Sequence, residues 1–277
     1  MKLSRVITFS FAFLILCCQI GHAQSIEQLR TELENCFESE DYKCAEKSLK
    51  KLIKVDTEGK FRSNYFNNLG TVLRRLDKNK QALDAYNQAI EINKTVPNYF
   101  TNRGSLKDNM GDTKGAINDY TSAIALDPVN ETAHINRATI YRRQGLIDKA
   151  ELDLKTLLSA DPENFQAISN LAIIKKQRGM LDEALIDQTK LINLHPDEPL
   201  LYNNRADTRM KLKMYDLALE DVEQALKLDP SYSLAHVTKG EILKAMGKSD
   251  EACSSFDKAI KLGFDANRIS SLLADCK

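Results

Sequence analysis

The chain has 277 residues, and 39 Lys plus Arg stand against 39 Asp plus Glu, so the formal net charge is zero. That balance argues against a strongly basic nucleic-acid binder and against an acidic disordered tail. With 11 Gly and 6 Pro, about half the usual share, and no Trp, the composition favours long helices joined by short, regular connections over a turn-rich all-β fold.

The first element in chain order reads as an address. Lys2 and Arg5 precede an almost continuous apolar run from Val6 to Cys18, and Gly21-His22-Ala23 places small residues before Gln24. This is the layout of a secretory signal peptide over residues 1–23. The run is too short for a stable membrane anchor, and no later segment reaches the length of a span, so no transmembrane segment is expected after signal removal. An uncleaved anchor and a lipoprotein are the alternatives. Leu14-Ile15-Leu16-Cys17 loosely resembles a lipobox, but Leu16 is bulky where a small residue is usual, and Cys18 follows directly. Export to a periplasm or to the exterior is the expected localisation.

The rest of the chain is periodic. Asn102-Arg103-Gly104, Asn136-Arg137-Ala138 and Asn204-Arg205-Ala206 are offset by 34 or 68 residues, and alanines 82, 116, 150, 184, 218 and 252 recur every 34. A degenerate unit covers 26–59 with Ala45 in the alanine slot, and Lys60 to Arg62 separate it from the next. Six units then follow without insertion, over 63–96, 97–130, 131–164, 165–198, 199–232 and 233–266, and a final capping helix is expected over about 265–277. Positions below are counted from the first residue of each unit.

In the third unit Phe100, Gly104, Gly111, Ala116, Tyr120, Ala123 and Pro128 stand at positions 4, 8, 15, 20, 24, 27 and 32. With that spacing repeated in phase, the mature chain resembles a tetratricopeptide repeat protein of the exported bacterial type. The first unit departs by carrying Cys36 where an aromatic is common, and the second lacks the terminal Pro. The resemblance implies an all-α, right-handed α-solenoid of about seven helix-turn-helix units, one domain over 24–277. Small residues at positions 8 and 20 would let paired helices approach, large ones at 24, such as Tyr86, Tyr120, Leu154 and Phe256, would fill the gap towards the next unit, and Gly111, Gly145, Gly179 and Gly247 would end first helices. Asp265 is placed to cap a last helix bearing Ile269, Leu272 and Leu273.

Four cysteines remain after the leader is removed: Cys36, Cys44, Cys253 and Cys276. An even count in an oxidising compartment suggests disulfides, with three connectivities open. Local pairing is the simplest. Cys36 and Cys44 flank the first hairpin turn, and a Cys253–Cys276 bond would staple the cap; cysteine pairs at a terminal repeat and its cap also resemble those of exported members of the family. Four small buried hydrophobes are the alternative.

By analogy with the family, positions 2, 5, 6, 9, 12 and 13 line a concave groove. Position 6 holds Asn68, Asn102, Asn136, Asn170 and Asn204, an amide in five consecutive units. A carboxamide offers an acceptor and two donors, matching an extended peptide backbone, and the pattern is similar to the asparagine ladder of O-linked N-acetylglucosamine transferases. The opposing reading is a solvated or locally bonded amide. Arg74, Arg75, Arg142, Arg143, Lys176 and Lys211 make nearby positions basic, partly offset by Asp108, Asp207 and Glu241, so an acidic segment or a C-terminal carboxylate would suit the middle of the groove. Arg103, Arg137 and Arg205 each have Asp sixteen residues on, at 119, 153 and 221, which reads as a structural tie between the helices of one hairpin.

No enzyme motif emerges. HExxH and GxSxG are absent, His134 and His236 fill a packing slot otherwise held by Phe66, Phe100 and Tyr202, and Gly247-Lys248-Ser249 lacks the first Gly of a phosphate loop. The expectation is a non-enzymatic scaffold without cofactor or metal, taking a protein or peptide partner and no nucleic acid. The alternatives are a structural spacer or homo-oligomeric subunit, or an accessory subunit of an enzyme or chaperone complex.

Overall fold

The computed structural model describes residues 25–57, 59–274 and 276; the expected leader, with Cys17 and Cys18, lies outside them. Among the described residues the chain is all-α. Helix α1 covers 25–38. It is followed by α2 (Tyr42–Val55), α3 (Arg62–Arg75), α4 (Asn79–Ile92), α5 (Pro97–Asn109), α6 (Thr113–Leu126), α7 (Glu131–Arg143), α8 (Ile147–Ala160), α9 (Phe165–Gln177), α10 (Leu181–Leu194), α11 (Pro199–Lys211), α12 (Tyr215–Leu228), α13 (Ser233–Ala245) and α14 (Ser249–Lys261). A 3-10 segment, Ala266–Ile269, and the short α15 (Ser270–Leu273) close the chain. This is a solenoid of about seven antiparallel helix-turn-helix units with a C-terminal helix. The array divides into two compact units, up to Ile140 and from Tyr141.

Within the first compact unit α3 pairs with α4 and α5 with α6, and each second helix also packs on the next first helix, as α2 does on α3 and α4 on α5. Within the second, α9/α10, α11/α12 and α13/α14 are the pairs, and α8, α10 and α12 pack on the first helix that follows each. The alanines at position 20, residues 45, 82, 116, 150, 184, 218 and 252, are all buried and set the close approach of paired helices.

Positions 8 and 24 are matched to each other. A Cβ placed on Gly70, Gly104 or Gly240 would lie 2.6, 3.0 or 2.4 Å from the ring of Tyr86, Tyr120 or Phe256. Where position 8 is Ala, at 138, 172 and 206, position 24 is the ring-free Leu154, Gln188 or Val222. In these six units a ring at position 24 thus requires Gly at position 8, sixteen residues earlier.

Each first helix ends on the same left-handed turn. Gly111, Gly145, Gly179 and Gly247 have positive φ, and so do the non-glycines Glu40, Asp77 and Lys213 at the equivalent place. The next residue's N–H reaches back to the carbonyl five residues earlier, as from Asp112 to Lys107 (2.8 Å) and from Met214 to Arg209 (2.9 Å). Second helices end on an extended residue, Asp127, Asp161 or Asp229, followed by Pro.

Disulfides join Cys36 to Cys44 and Cys253 to Cys276. The C-terminal cap differs in form from a single helix over 265–277. Asp265 does cap it, its carboxylate accepting from the Asn267 N–H, but it begins as a 3-10 turn and, among the described residues, carries a single α-turn. Ile269 is buried against Phe256 and Ala259, with Leu272 and Leu273 packed beside it. The short, sharply turned segment lets Ile269 and Cys276 both reach the last pair.

Candidate functional site

The position-6 amides all lie half-buried on first helices. Their hydrogen bonds are local. Asn102 Nδ2 donates to Asn67 Oδ1 (2.9 Å), and Asn67 Nδ2 donates to Asn68 Oδ1 (3.4 Å), so two rungs are linked through the amide at position 5. Asn136 lies with Ser105 at the Tyr120 hydroxyl, whose pKa burial pushes up to about 12. In the second compact unit, Asn170 Nδ2 donates to the Gln166 carbonyl (2.8 Å). The Asn204 side chain makes no hydrogen bond among the described residues, while its backbone carbonyl accepts from Gln188 and Thr208.

The basic positions divide into paired and unpaired. Lys176 reaches forward to Asp207, and Lys211, one turn along α11, meets the same carboxylate at 3.0 Å. Burial works against the charge of Asp207, but the hydrogen bonds and charges of these two lysines outweigh it and hold the carboxyl below its ordinary range. Glu241, deprived of water by burial and facing Asp207, is held above its ordinary range. Arg74 Nη1 lies 3.4 Å from Ser105 Oγ. Arg75 and Arg143 are exposed, and Arg142 is half-buried with its Nε enclosed and without a hydrogen-bond partner. Among the described residues Arg74, Arg75 and Arg142 enter no ion pair. Lys176 is committed to Asp207.

The position-7 arginines belong to the framework. Arg103 and Arg205 grip Asp119 and Asp221 bidentately, at 2.9 and 2.7 Å in both pairs. Their side-chain carboxylates are only 5% and 4% exposed, and each takes a second cation from position 11, Lys107 or Arg209. Arg103 also donates to Asn87, Arg205 to Thr189 and Arg137 to Thr121, all on the preceding second helix. The tie therefore joins successive hairpins as well as the helices of one. His134 and His236 are buried with Nε2 within 3.0 and 3.3 Å of the Pro128 and Pro230 carbonyls, in keeping with a packing slot.

One site escaped the sequence reading. A cavity of about 70 Å³ lies among α9, α10 and α11, lined by Ser169, Ala172, Lys176, Gln188, Leu201 and Asn204 among others. Part of its wall is Gln188, an amide at position 24 where the other units carry Leu, Tyr, Val or Phe. The signal was present in that departure.

Tetratricopeptide repeat models match residues 63–95 and 234–262, 101–165, and 199–232. No curated protein matches the chain. Among solved structures, a tetratricopeptide repeat protein from Parabacteroides merdae is similar with a TM-score of 0.71 and 28% identity, over 90% of this chain and 98% of the other. The pilF protein of Pseudomonas aeruginosa is similar with a TM-score of 0.64 and 18% identity, over 77% and 97%. YrrB, a repeat protein of the same kind with an unusual peptide-binding site, gives 0.52 and 21%, over 68% and 99%. At these identities the last two speak for the fold alone. No described helix is long and apolar enough to cross a membrane.

Proposed function

On the premise that this chain belongs to the tetratricopeptide repeat family, whose members are typically non-enzymatic scaffolds for protein–protein interaction, we propose that it is an exported scaffold that binds an extended segment of a partner protein along its first-helix face. The observation that carries the reading is the run of half-buried amides at position 6 in five consecutive units, Asn68, Asn102, Asn136, Asn170 and Asn204. A carboxamide at the edge of water can exchange a local hydrogen bond for one to a peptide group at little net cost. In the first compact unit Arg74 and Arg75, on the helix that carries Asn68, favour an acidic segment or a terminal carboxylate. That YrrB, of the same fold, has a peptide-binding site accords with this. Export is supported by the layout of residues 1–23 and by the two disulfides, which suit an oxidising compartment.

A displayed library of random peptides tests the reading. Residues 24–277 and a variant carrying Asn102→Ala, Asn136→Ala and Asn170→Ala are panned in parallel, with thermal midpoints recorded. The expected result is enrichment on the parent and loss on the variant at an unchanged midpoint. Equal enrichment on both would sink the ladder.

A further inference from the structure

The connection from α4 to α5 departs from its counterparts in a way that matters chemically. Four units end their second helix on Asp127, Asp161, His195 or Asp229, each followed by Pro; the second unit has Asn93-Lys94-Thr95 there. The backbone is nearly the same. Asn93 has φ −142° and ψ 107°, against −139° and 95° at Asp127, an extended conformation that would accept a following Pro. Asn-x-Thr with x other than Pro is the acceptor sequence for N-linked carbohydrate in exported proteins. Glu91 adds a carboxylate two residues before the Asn, the longer form of that motif.

The carboxamide is already arranged. Asn93 Oδ1 accepts from the Thr95 N–H (3.0 Å) and from Thr95 Oγ1 (2.8 Å). Its Nδ2 donates to no other described group and is not enclosed, and Glu91, Lys94 and Thr95 are exposed. A second Asn-x-Thr, Asn130-Glu131-Thr132, supplies the contrast. Asn130 Nδ2 donates to Asp127 Oδ2 (3.1 Å), its Oδ1 accepts from the Ala133 N–H (3.0 Å), and Glu131 and Thr132 lie within α7.

We propose that Asn93 is an N-glycosylation site and that Asn130 is not; the proposal rests on the export reading above and is independent of the asparagine ladder. An amide nitrogen is a poor nucleophile because it shares its lone pair with the carbonyl. Two donors on Oδ1 stabilise negative charge on that oxygen, which makes Nδ2 the stronger acid. In the transfer Nδ2 loses a proton to a base of the transferase and bonds to the anomeric carbon of a saccharide carried on a lipid pyrophosphate. The bond from that carbon to the pyrophosphate oxygen breaks, and the lipid pyrophosphate leaves with the electron pair.

The full chain, tagged at its C terminus and purified from its own host, is mapped by intact and peptide mass spectrometry. The expected result is an N terminus at Gln24, a carbohydrate mass on the peptide containing Asn93, and a bare Asn130. Thr95→Val removes the hydroxyl and keeps the N–H. Lys94→Pro restores the pattern of the four other units, and the Lys94 N–H makes no backbone hydrogen bond for it to break. Each variant should lose the carbohydrate mass at an unchanged thermal midpoint. A chain with its leader removed and a bare Asn93 would overturn the proposal and leave export standing; a retained leader with a bare Asn93 would overturn both. Carbohydrate kept in Lys94→Pro, or carried by Asn130 instead, would overturn the proposal as well.

Discussion

Lys213 shows how little a single side chain controls its own backbone here. It has φ of +60°, in a turn that four other units give to Gly. The Met214 N–H bond to the Arg209 carbonyl closes the turn whatever residue occupies it. A Cβ in that conformation costs about 1–2 kcal/mol, of which the greater freedom of Gly in the unfolded chain returns roughly half. Lys213→Gly is therefore expected to stabilise by about 0.5–1 kcal/mol, and Gly111→Ala to destabilise by about 1 kcal/mol, since Gly111 has φ of +88° and open space around it. Urea denaturation of both variants checks the pair. A destabilised Lys213→Gly would show that the lysine side chain, not the turn, stabilises that corner.

At the scale of the element, the buried polar triads are alternatives to apolar ones. In the third unit Arg103, Lys107 and Asp119 occupy positions 7, 11 and 23; in the second unit Leu69, Leu73 and Ala85 occupy the same places and are buried. Removing Asp119 alone strands two cations beside each other, so Asp119→Ala should cost about 3–5 kcal/mol. The triple change Arg103→Leu, Lys107→Leu, Asp119→Ala transplants the second unit's solution and should fall within about 1 kcal/mol of the parent. If the triple variant is as unstable as the single one, the carboxylate is not the issue and the tie to Asn87 is. Much at this scale was legible from the residues. The 34-residue period places the starts of α5, α7, α9, α11 and α13 at Pro97, Glu131, Phe165, Pro199 and Ser233. The Arg–Asp spacing of sixteen anticipated a contact within the hairpin, but not the reach of the same arginine to the preceding hairpin, which only three-dimensional stacking reveals. The Gln188 cavity stayed hidden for a related reason: a missing volume is a property of several helices together, and no one residue advertises it.

For the whole molecule, stability in a stacked array is a chain of nearest-neighbour terms, so the end units, with a neighbour on one side only, are the first to open. Both disulfides sit there. Cys36–Cys44 and Cys253–Cys276 close separations of 8 and 23 residues, and on a loop-closure basis they should contribute about 2.5 and about 3.4 kcal/mol. Intact mass is expected to rise by about four hydrogens on reduction, and hydrogen exchange to quicken first in α1, α2, α14 and α15. Exchange that quickens first in α9 or α10 would contradict that order. The C-terminal segment is where local pattern was least informative. The apolar residues of 265–277 fit a longer helix, but the need to bring Ile269 and Cys276 together onto α13 and α14 selects a 3-10 turn and a single α-turn.

The match between positions 8 and 24 constrains how such a chain can change over time. A hairpin of the Ala138–Leu154 type can become one of the Gly104–Tyr120 type by two substitutions, yet the two orders are unequal. Ala138→Gly first opens a small gap, a tolerable loss. Leu154→Tyr first drives a ring against a methyl group, at separations like those that a Cβ on Gly70 or Gly240 would meet. Historical paths between the two hairpin types must therefore pass through the loosely packed intermediate, and each passage leaves a unit briefly less stable than either endpoint. The disulfide-clamped ends give the array a margin within which that passage can be survived.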